Sequence, residues 1–344
     1  MKSSGTSPAR YLPLLLRLLE QRNIECESAL QPLGVDRAQL AHPVAKVLTE
    51  PAIEVFRVLI AEHGESGTGF QLGRLLTIGE LGDLGLAMLR CATMGEALRC
   101  AATYYPLITP SFGLKVERRP DAVLMTWHPL HAMPYDFIQF CFDMALGAMD
   151  VLAEQLMGQA APMADAYLTR ARPPHMAHQQ LKHIRCHFGQ PGVLSLRLCM
   201  PPDLWDHPLP TGNADELAVI CERMQQRLRP VSAGTVAPWV AMMLREAVGE
   251  QPSHQFLAQV AGVSSSTLAR RLADEGTTFR ALANRVRYER ACELLQSSDL
   301  SIAAIGARLG YADTPSFVRA FKAMGGQTPG RMRDALHGAP QESC

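Results

Sequence analysis

Apolar residues recur at helical spacing along most of this chain, and the exceptions mark how it is organised. Tyr11–Arg22 carries the pattern of an amphipathic helix. Pro51–His63 and Phe70–Leu76 repeat it, with Gly64, Gly67 and Gly69 between them. Thr93–Tyr105 reads as a further helix, because Thr93 can cap it and Glu96, three residues on, completes a capping-box pattern. The spacing then switches to alternation. Phe112–Val116 and Ala122–Trp127 predict a β-hairpin around Arg119, Pro120 and Asp121. Tyr135–Leu156 is a long apolar helix. Asp165–Arg170 alternates like a strand that stops at Pro173 and Pro174. His175–His187 reads as helix and Val193–Cys199 as strand. The resulting order predicts an α+β domain, a small sheet backed by helices, of a size suited to sensing.

Asn213–Leu228 is the next helix. The run from Pro230 to Thr235 breaks all periodicity with Pro, Gly and small polar residues, and reads as a linker. Helices then follow almost without pause to Leu336. A boundary near residue 235 divides the chain into an α+β domain (11–210), a helix and linker (211–236) and an all-α domain (237–335).

The all-α part contains a repeat. Ala258 and Gly262 recur as Gly306 and Gly310, 48 residues on, and Leu268 and Leu272 recur as Phe317 and Phe321, 49 residues on. The second copy therefore has one extra residue in its turn. A small residue where two helices cross, a glycine at the turn and apolar anchors on the second helix are what a helix-turn-helix needs. Two units joined by one long helix, Phe279–Gln296, follow, with Phe279, Leu282, Val286, Leu294 and Leu295 on its buried side. Anchoring one face of the second helix frees the opposite face for the major groove of DNA. In the first unit that helix is Ser265–Asp274, capped by Ser264 or Ser265, with Ser266, Ala269 and Arg270 outward. In the second it is Thr314–Met324, capped by Asp313, with Pro315 in the first turn, where a missing N–H is harmless. Thr314, Pro315, Val318 and Arg319 face outward there. Arg270 and Arg319 can each bind guanine O6 and N7 bidentately, whereas Ala269 is too short to read a base and Val318 offers only apolar contact. Each arginine also reads as a phosphate clamp or a solvated side chain. Arg271, Lys322, Arg331 and Arg333 read as phosphate contacts or plain surface.

Composition constrains the partners. The formal net charge is zero over 344 residues, and residues 250–344 hold eleven Lys/Arg against nine Asp/Glu, a net of +2. DNA affinity must then come from local placement of basic side chains. The nine cysteines are scattered without any C-x-x-C, which predicts reduced thiols in a cytosol. The apolar run Tyr11–Leu19 is broken by Arg17 and lacks a cleavage site after it. No stretch has the length and apolarity of a membrane span. A soluble, cytoplasmic protein is expected.

Residues 237–335 resemble the DNA-binding domain of the AraC/XylS family of bacterial transcription regulators. The carrying residues are Leu257, Ala258, Gly262, Ser264, Leu268, Arg270, Arg271, Leu272, Gly276, Phe279, Arg287 and Ala291. Ile302, Ile305, Leu309, Gly310, Tyr311, Ser316, Phe317, Arg319, Phe321, Lys322, Gly326, Thr328, Pro329 and Arg331 continue them. The resemblance implies that Ser265, Ser266, Ala269, Arg270 and Arg271 of the first unit, and Thr314, Pro315, Val318, Arg319 and Lys322 of the second, form the DNA-binding surface. Gly306 departs from the family's usual alanine, at about 1 kcal/mol of helix propensity. Residues 11–210 resemble the N-terminal, arabinose-binding-type domain of the family's ornithine-regulator-like subgroup. The carrying residues there are Phe70, Gly73, Gly79, Gly82, Gly85, Thr93, Gly95, Glu96, Ala97, Leu98, Tyr104, Tyr105 and His187–Gly189. The expected function is a sequence-specific transcription regulator, an activator by resemblance, controlled by a small-molecule effector. Expected partners are double-stranded DNA in two major-groove segments about one turn apart, the effector, RNA polymerase if it activates, and a second copy if Tyr135–Leu156 or Asn213–Leu228 supplies a dimer face. No membrane partner, cofactor or catalytic role is expected.

Other chemistries are weaker. Gly79, Gly82 and Gly85 lack phosphate-loop spacing and read as turn glycines. His175, His178, His183, Cys186 and His187 invite a metal reading, and His183 and His187 would share one helix face. Two spaced ligands are an incomplete set, so no metal is expected. Trp127, His128, Tyr104, Tyr105 and Tyr135 combine apolar bodies with polar tips but equally suit a core, so the effector-binding residues stay open. A constitutive architectural DNA binder is the alternative, and a DNA-binding module fused to a thiol enzyme, with Cys186–His187 as its centre, is a weaker one.

Overall fold

The computed structural model describes residues 6–8, 11–23, 46–63, 67–177, 181–228 and 235–337, with Leu30 and Leu40. The chain divides into two compact units, Met1–Gln190 with Ser195–Ala233, and Pro191–Leu194 with Gly234–Cys344. The linker expected before Thr235 lies mostly outside the described residues, as do Gly64 and His178.

In the first unit β1 (Thr6–Pro8) pairs antiparallel with β2 (Lys46–Leu48). Helix α1 (Tyr11–Glu20) buries Leu12, Leu15 and Leu19 in a core shared with α2 (Thr49–His63) and α3 (Thr68–Arg74). Next come α4 (Asp83–Arg90) and α5 (Met94–Tyr104). The predicted cap of α5 forms: Thr93 Oγ1 accepts from Glu96 N at 3.2 Å, and the Glu96 carboxylate accepts from Ala92 N at 2.7 Å. The predicted hairpin is β3 (Phe112–Arg118) with β4 (Val123–Pro129), closed by Arg119 N donating to Ala122 O.

Helix α6 (Tyr135–Met157) leads to β5 (Ala164–Leu168), β6 (Ile184–His187), β7 (Leu196–Met200) and α7 (Ala214–Arg227). The sheet order is β3-β4-β7-β5-β6, antiparallel throughout except for the β5–β6 pair. Helix α6 reaches the sheet through Phe142, whose ring meets Phe112 edge-on at 5.9 Å. Helix α7 is capped by Asn213 and tied to α4 by Arg223 and Arg227 at Asp83.

The helix expected over His175–His187 does not form in its described residues. Pro174–Ala177 makes a single 3-10 turn and Ile184–His187 is strand β6, parallel to β5. Met176, Ala177, Leu181 and Ile184 would share one face of a helix, but tertiary partners decide the segment otherwise. Asp143 on α6 accepts from Arg170 and from His175 Nε2, the latter at 3.1 Å. Asp150 on the same helix accepts Lys182 N at 3.2 Å and His183 N at 2.8 Å. The last strand also begins later than expected, at Leu196 rather than Val193.

Gly69, Gly73 and Gly147 let α3 and α6 meet backbone to backbone. A methyl group at Gly73 would run into Met144 O and lie 2.9 Å from Ala148 N, and one at Gly147 would run into Phe70 O. Gly85 likewise presses α4 against Ile78 O, so it is a packing glycine, while Gly82, with φ of 61°, is the turn glycine of the three.

The second unit holds α8 (Val236–Arg245), α9 (His254–Val260), α10 (Ser265–Asp274), α11 (Phe279–Ser297), α12 (Ile302–Arg308), α13 (Thr314–Gly325) and α14 (Pro329–His337). Ser253, Ser264, Thr278, Ser301 and Asp313 cap α9 to α13, each accepting from the backbone N–H three residues on. Helix α11 buries Leu282 and Val286 near its start and Ala291 and Leu295 near its end. The five-residue step from Val286 to Ala291 rotates the buried stripe, so the two ends present different faces. Phe279 and Leu294 are half-buried beside those stripes.

Gly73→Ala should lower the stability of the first unit by about 1–3 kcal/mol, because backbone atoms cannot yield as a side chain does. Gly79→Ala, where the nearest atom is Thr77 Oγ1 at 3.6 Å, should stay within about 0.5 kcal/mol of the parent in the same urea titration.

Candidate nucleic-acid interface and interior cavity

The two helix-turn-helix units are built alike. In the first, Gly262 turns the chain with φ of 66°, and Leu268 and Leu272 of α10 are buried at 1% and 0% exposure. In the second, Gly310 turns it with φ of 81°, and Phe317 and Phe321 of α13 are buried at 1% and 2%. The anchors of α13 are larger than those of α10, and α12 makes room for them at Gly306. A Cβ there would sit 3.1 Å from Phe317 Cβ. Phe317 and Phe321 meet edge-on at 5.8 Å, with Ala291, Leu295 and Ile305 completing their core.

Burial of one stripe leaves the opposite one in water. On α10, Ser266, Ala269 and Arg270 are exposed, while Ser265 and Arg271 are half-buried. Ser264 is the residue that caps the helix; its Oγ accepts Thr267 N at 3.1 Å and pairs with Ser266 Oγ at 2.9 Å. On α13, Pro315, Arg319 and Lys322 are exposed, and Thr314 and Val318 are half-buried. The start of α13 is a small polar network. Asp313 accepts from Ser316 N at 2.7 Å and from Ser316 Oγ at 3.0 Å, and Arg319 Nη2 donates to Ser316 Oγ at 3.0 Å. The hydrogen bonds from Ser316 hold the Asp313 carboxyl below its usual range, with the Arg319 charge adding to them. Arg319 therefore starts from a partly ordered position.

Some basic residues serve the fold. Arg333 Nη2 donates to Leu300 O at 2.6 Å, which ties α14 to the start of the second unit and makes it a clasp rather than open surface. Arg287 lies over the Tyr311 ring at 5.9 Å. Arg331 stays exposed. A residue the sequence did not single out, Glu275, accepts both Val236 N at 2.6 Å and Ala237 N at 2.8 Å, and so caps α8 from the far end of α10.

The first unit holds a partly open cavity of about 230 Å³. Its wall draws on α1, α2, α5, α6 and the sheet, through residues such as Phe56, Leu98, Tyr105, Trp127, Phe140 and Met144. Of the five aromatic candidates, Trp127 and Tyr105 line it. Tyr104 instead donates to Cys221 O at 3.3 Å, His128 lies outside the lining, and Tyr135 is 42% exposed.

The histidine-rich segment is engaged elsewhere. His175 bonds Asp143, and His187 bonds Asp165 at 2.7 Å while stacking on Tyr167 at 4.8 Å. His183 and His187 do not share a helix face, because the segment is not helical. Among the described residues no group of three His, Cys, Asp or Glu is placed to hold a metal ion. Burial pushes the Cys186 thiol up to about 11, the opposite of what an activated nucleophile needs.

Among the described residues no helix is long and apolar enough to cross a membrane. Residues 24–209 match the arabinose-binding N-terminal domain of AraC transcription regulators, and residues 257–335 match a helix-turn-helix domain. An uncharacterized HTH-type transcriptional regulator of Mycobacterium tuberculosis is 26% identical over 328 residues, 94% of each chain. The ornithine utilization regulator of Pseudomonas aeruginosa is 24% identical over 337 residues, 95% of this chain and 96% of its own. The crystal structure of the transcriptional regulator CdpR from Pseudomonas aeruginosa aligns with a TM-score of 0.48 at 23% identity, over 95% of this chain and 98% of that one. With a ligand-type domain of this family over more than half its length and a tandem helix-turn-helix behind it, the chain belongs to the AraC family of DNA-binding transcription regulators.

Proposed function

We propose that α10 and α13 enter successive major-groove segments of one operator, about 10 bp apart, and that a small molecule held in the first unit controls this binding. The observation that carries the DNA reading is the pair of capped helices whose apolar stripes are buried and whose opposite stripes are exposed. Arg270 and Arg319 are the base readers, each suited to guanine. Ser265, Ser266 and Thr314 offer hydroxyls to bases or phosphates, Ala269, Pro315 and Val318 give close apolar contact, and Arg271 and Lys322 hold phosphates. The cavity favours effector control over a constitutive architectural role. Family membership supports activation, in which the DNA-bound protein also meets RNA polymerase, and a cytoplasmic location. A homodimer stays compatible with this scheme, although much of α6 is already buried within its own unit.

Selection from a random duplex library with the full chain, at about 0.15 M salt to suppress nonspecific binding, tests the reading. Enrichment of two short blocks about one helical turn apart supports tandem readout. Enrichment of a single block, or of none, overturns it.

Arg319→Ala should weaken the selected site by about 1–3 kcal/mol and relax preference at one base position. Lys322→Ala should instead weaken all sequences alike and reduce the salt slope by about one.

The Asp313 carboxylate has a lowered folded-state pKa. Its contribution to α13 is complete above the unfolded value, about 3.9. That contribution is lost as the pH falls from there through the lowered value. The Ser316 amide resonance should follow this loss. Asp313→Asn keeps a capping oxygen and should remove the titration.

A further inference from the structure

The cavity of the first unit has a chemistry that narrows its ligand. Among the described residues its wall is aliphatic, aromatic and methionine-rich, with no Asp, Glu, Lys or Arg and with His183 as the one imidazole. The two buried carboxylates of α6 are already committed. Asp143 is held by Arg170 and His175, and Asp150 by the Lys182 and His183 amides. A cationic ligand would therefore be buried without a counter-ion among the described residues, and an anionic one would meet no ionisable base there but the His183 imidazole, so a charge costs far more than a neutral group does.

Beside His183, the polar side chains on the wall are hydroxyls, a thiol and an indole. Burial pushes the Tyr105 phenol pKa up, and Tyr105 shares this wall with Trp127. Thr109 and Ser111 lie on the same wall, with Thr109 Oγ1 already accepting Ser111 N at 3.2 Å. A phenol both donates and accepts, so Tyr105 can offer its O–H to a ligand. A few convergent polar groups in an apolar cavity are what fix a ligand's orientation. Met88, Met94, Met125, Met144 and Met149 supply walls that adapt to shape.

Volume sets the size. An engineered apolar cavity of roughly 150 Å³ admits benzene; this one is about 230 Å³. We propose that the cavity binds a neutral, hydrophobic molecule of roughly nine or ten carbon atoms, its single polar group accepting a hydrogen bond from Tyr105. This rests on the reading that the first unit senses an effector, and names the class of that effector.

Matched probes test it on the full-length protein: decanol, decanoate, decylammonium and ornithine, followed by tryptophan fluorescence and by the shift in melting temperature. Decanol should bind saturably, with both charged chains at least about tenfold weaker and ornithine silent. Tyr105→Phe should weaken decanol about three- to tenfold. Ala145→Phe and Ala153→Leu, which fill the cavity from α6, should each reduce binding while leaving DNA site selection intact; the second covers the event that the first misfolds. Equal or tighter binding of a charged probe, no binding of decanol to the folded protein, or undiminished binding in a folded cavity-filled variant would overturn the proposal. Decanol binding that leaves operator affinity unchanged would support the ligand class and remove only the effector reading.

Discussion

Phe317 lies against the α-carbon of Gly306, and the second reading head depends on that contact. Where α12 carries no side chain, α13 can seat a phenylalanine, and Phe321 one turn on repeats the anchor against α11. Burying both rings removes apolar area from water and fixes the rotation of α13 about its own axis. Arg319, two residues past Phe317, is then necessarily on the solvent side. The first unit reaches the same result with smaller parts, Ala258 against a helix anchored by Leu268 and Leu272. Glycine at 306 gives up some helix propensity, and the larger aromatic core beside it offsets that loss.

The polar network at the start of α13 extends the same logic from orientation to readiness. Asp313 satisfies one of the orphan N–H groups of the helix end. In doing so it positions the Ser316 hydroxyl that holds Arg319. On the proposed reading of Arg319 as a base reader, a guanidinium already ordered loses less freedom on binding than one sampling many rotamers. Arg270 on α10 sits beside no comparable carboxylate cap, because its helix is started by Ser264. The two heads thus differ in electrostatics although they share a scaffold.

The ligand-type unit applies close packing to a different end. Gly69, Gly73 and Gly147 bring α3 and α6 together at backbone distance, and Asp143 and Asp150 bind the outer segment to α6. These contacts engage the two buried carboxylates of α6. What remains toward the sheet is apolar, and the helices and sheet do not fill it. The chemistry of the cavity follows from where the carboxylates are engaged: they stabilise the fold and are unavailable to meet a cation.

Short-range signals made the DNA-binding half legible in the sequence. Caps, turn glycines and apolar anchors act within one or two helical turns, so Ser264, Gly262, Asp313 and Gly310 announce their elements without reference to the rest of the chain. The hairpin and the cap at Thr93 were legible for the same reason. Strand β6 was not, because it exists through its pairing with β5 and through carboxylates on α6 more than thirty residues away. Nor were the cap that Glu275 places on α8, the packing role of Gly73 and Gly147, or the cavity. Each is a relation between segments distant in sequence, which periodicity along one segment does not contain. Local pattern determined the elements and the exposed faces of α10 and α13; tertiary packing alone decided which polar groups were consumed by the fold and which interior space was left lined, among the described residues, without carboxylate, ammonium or guanidinium.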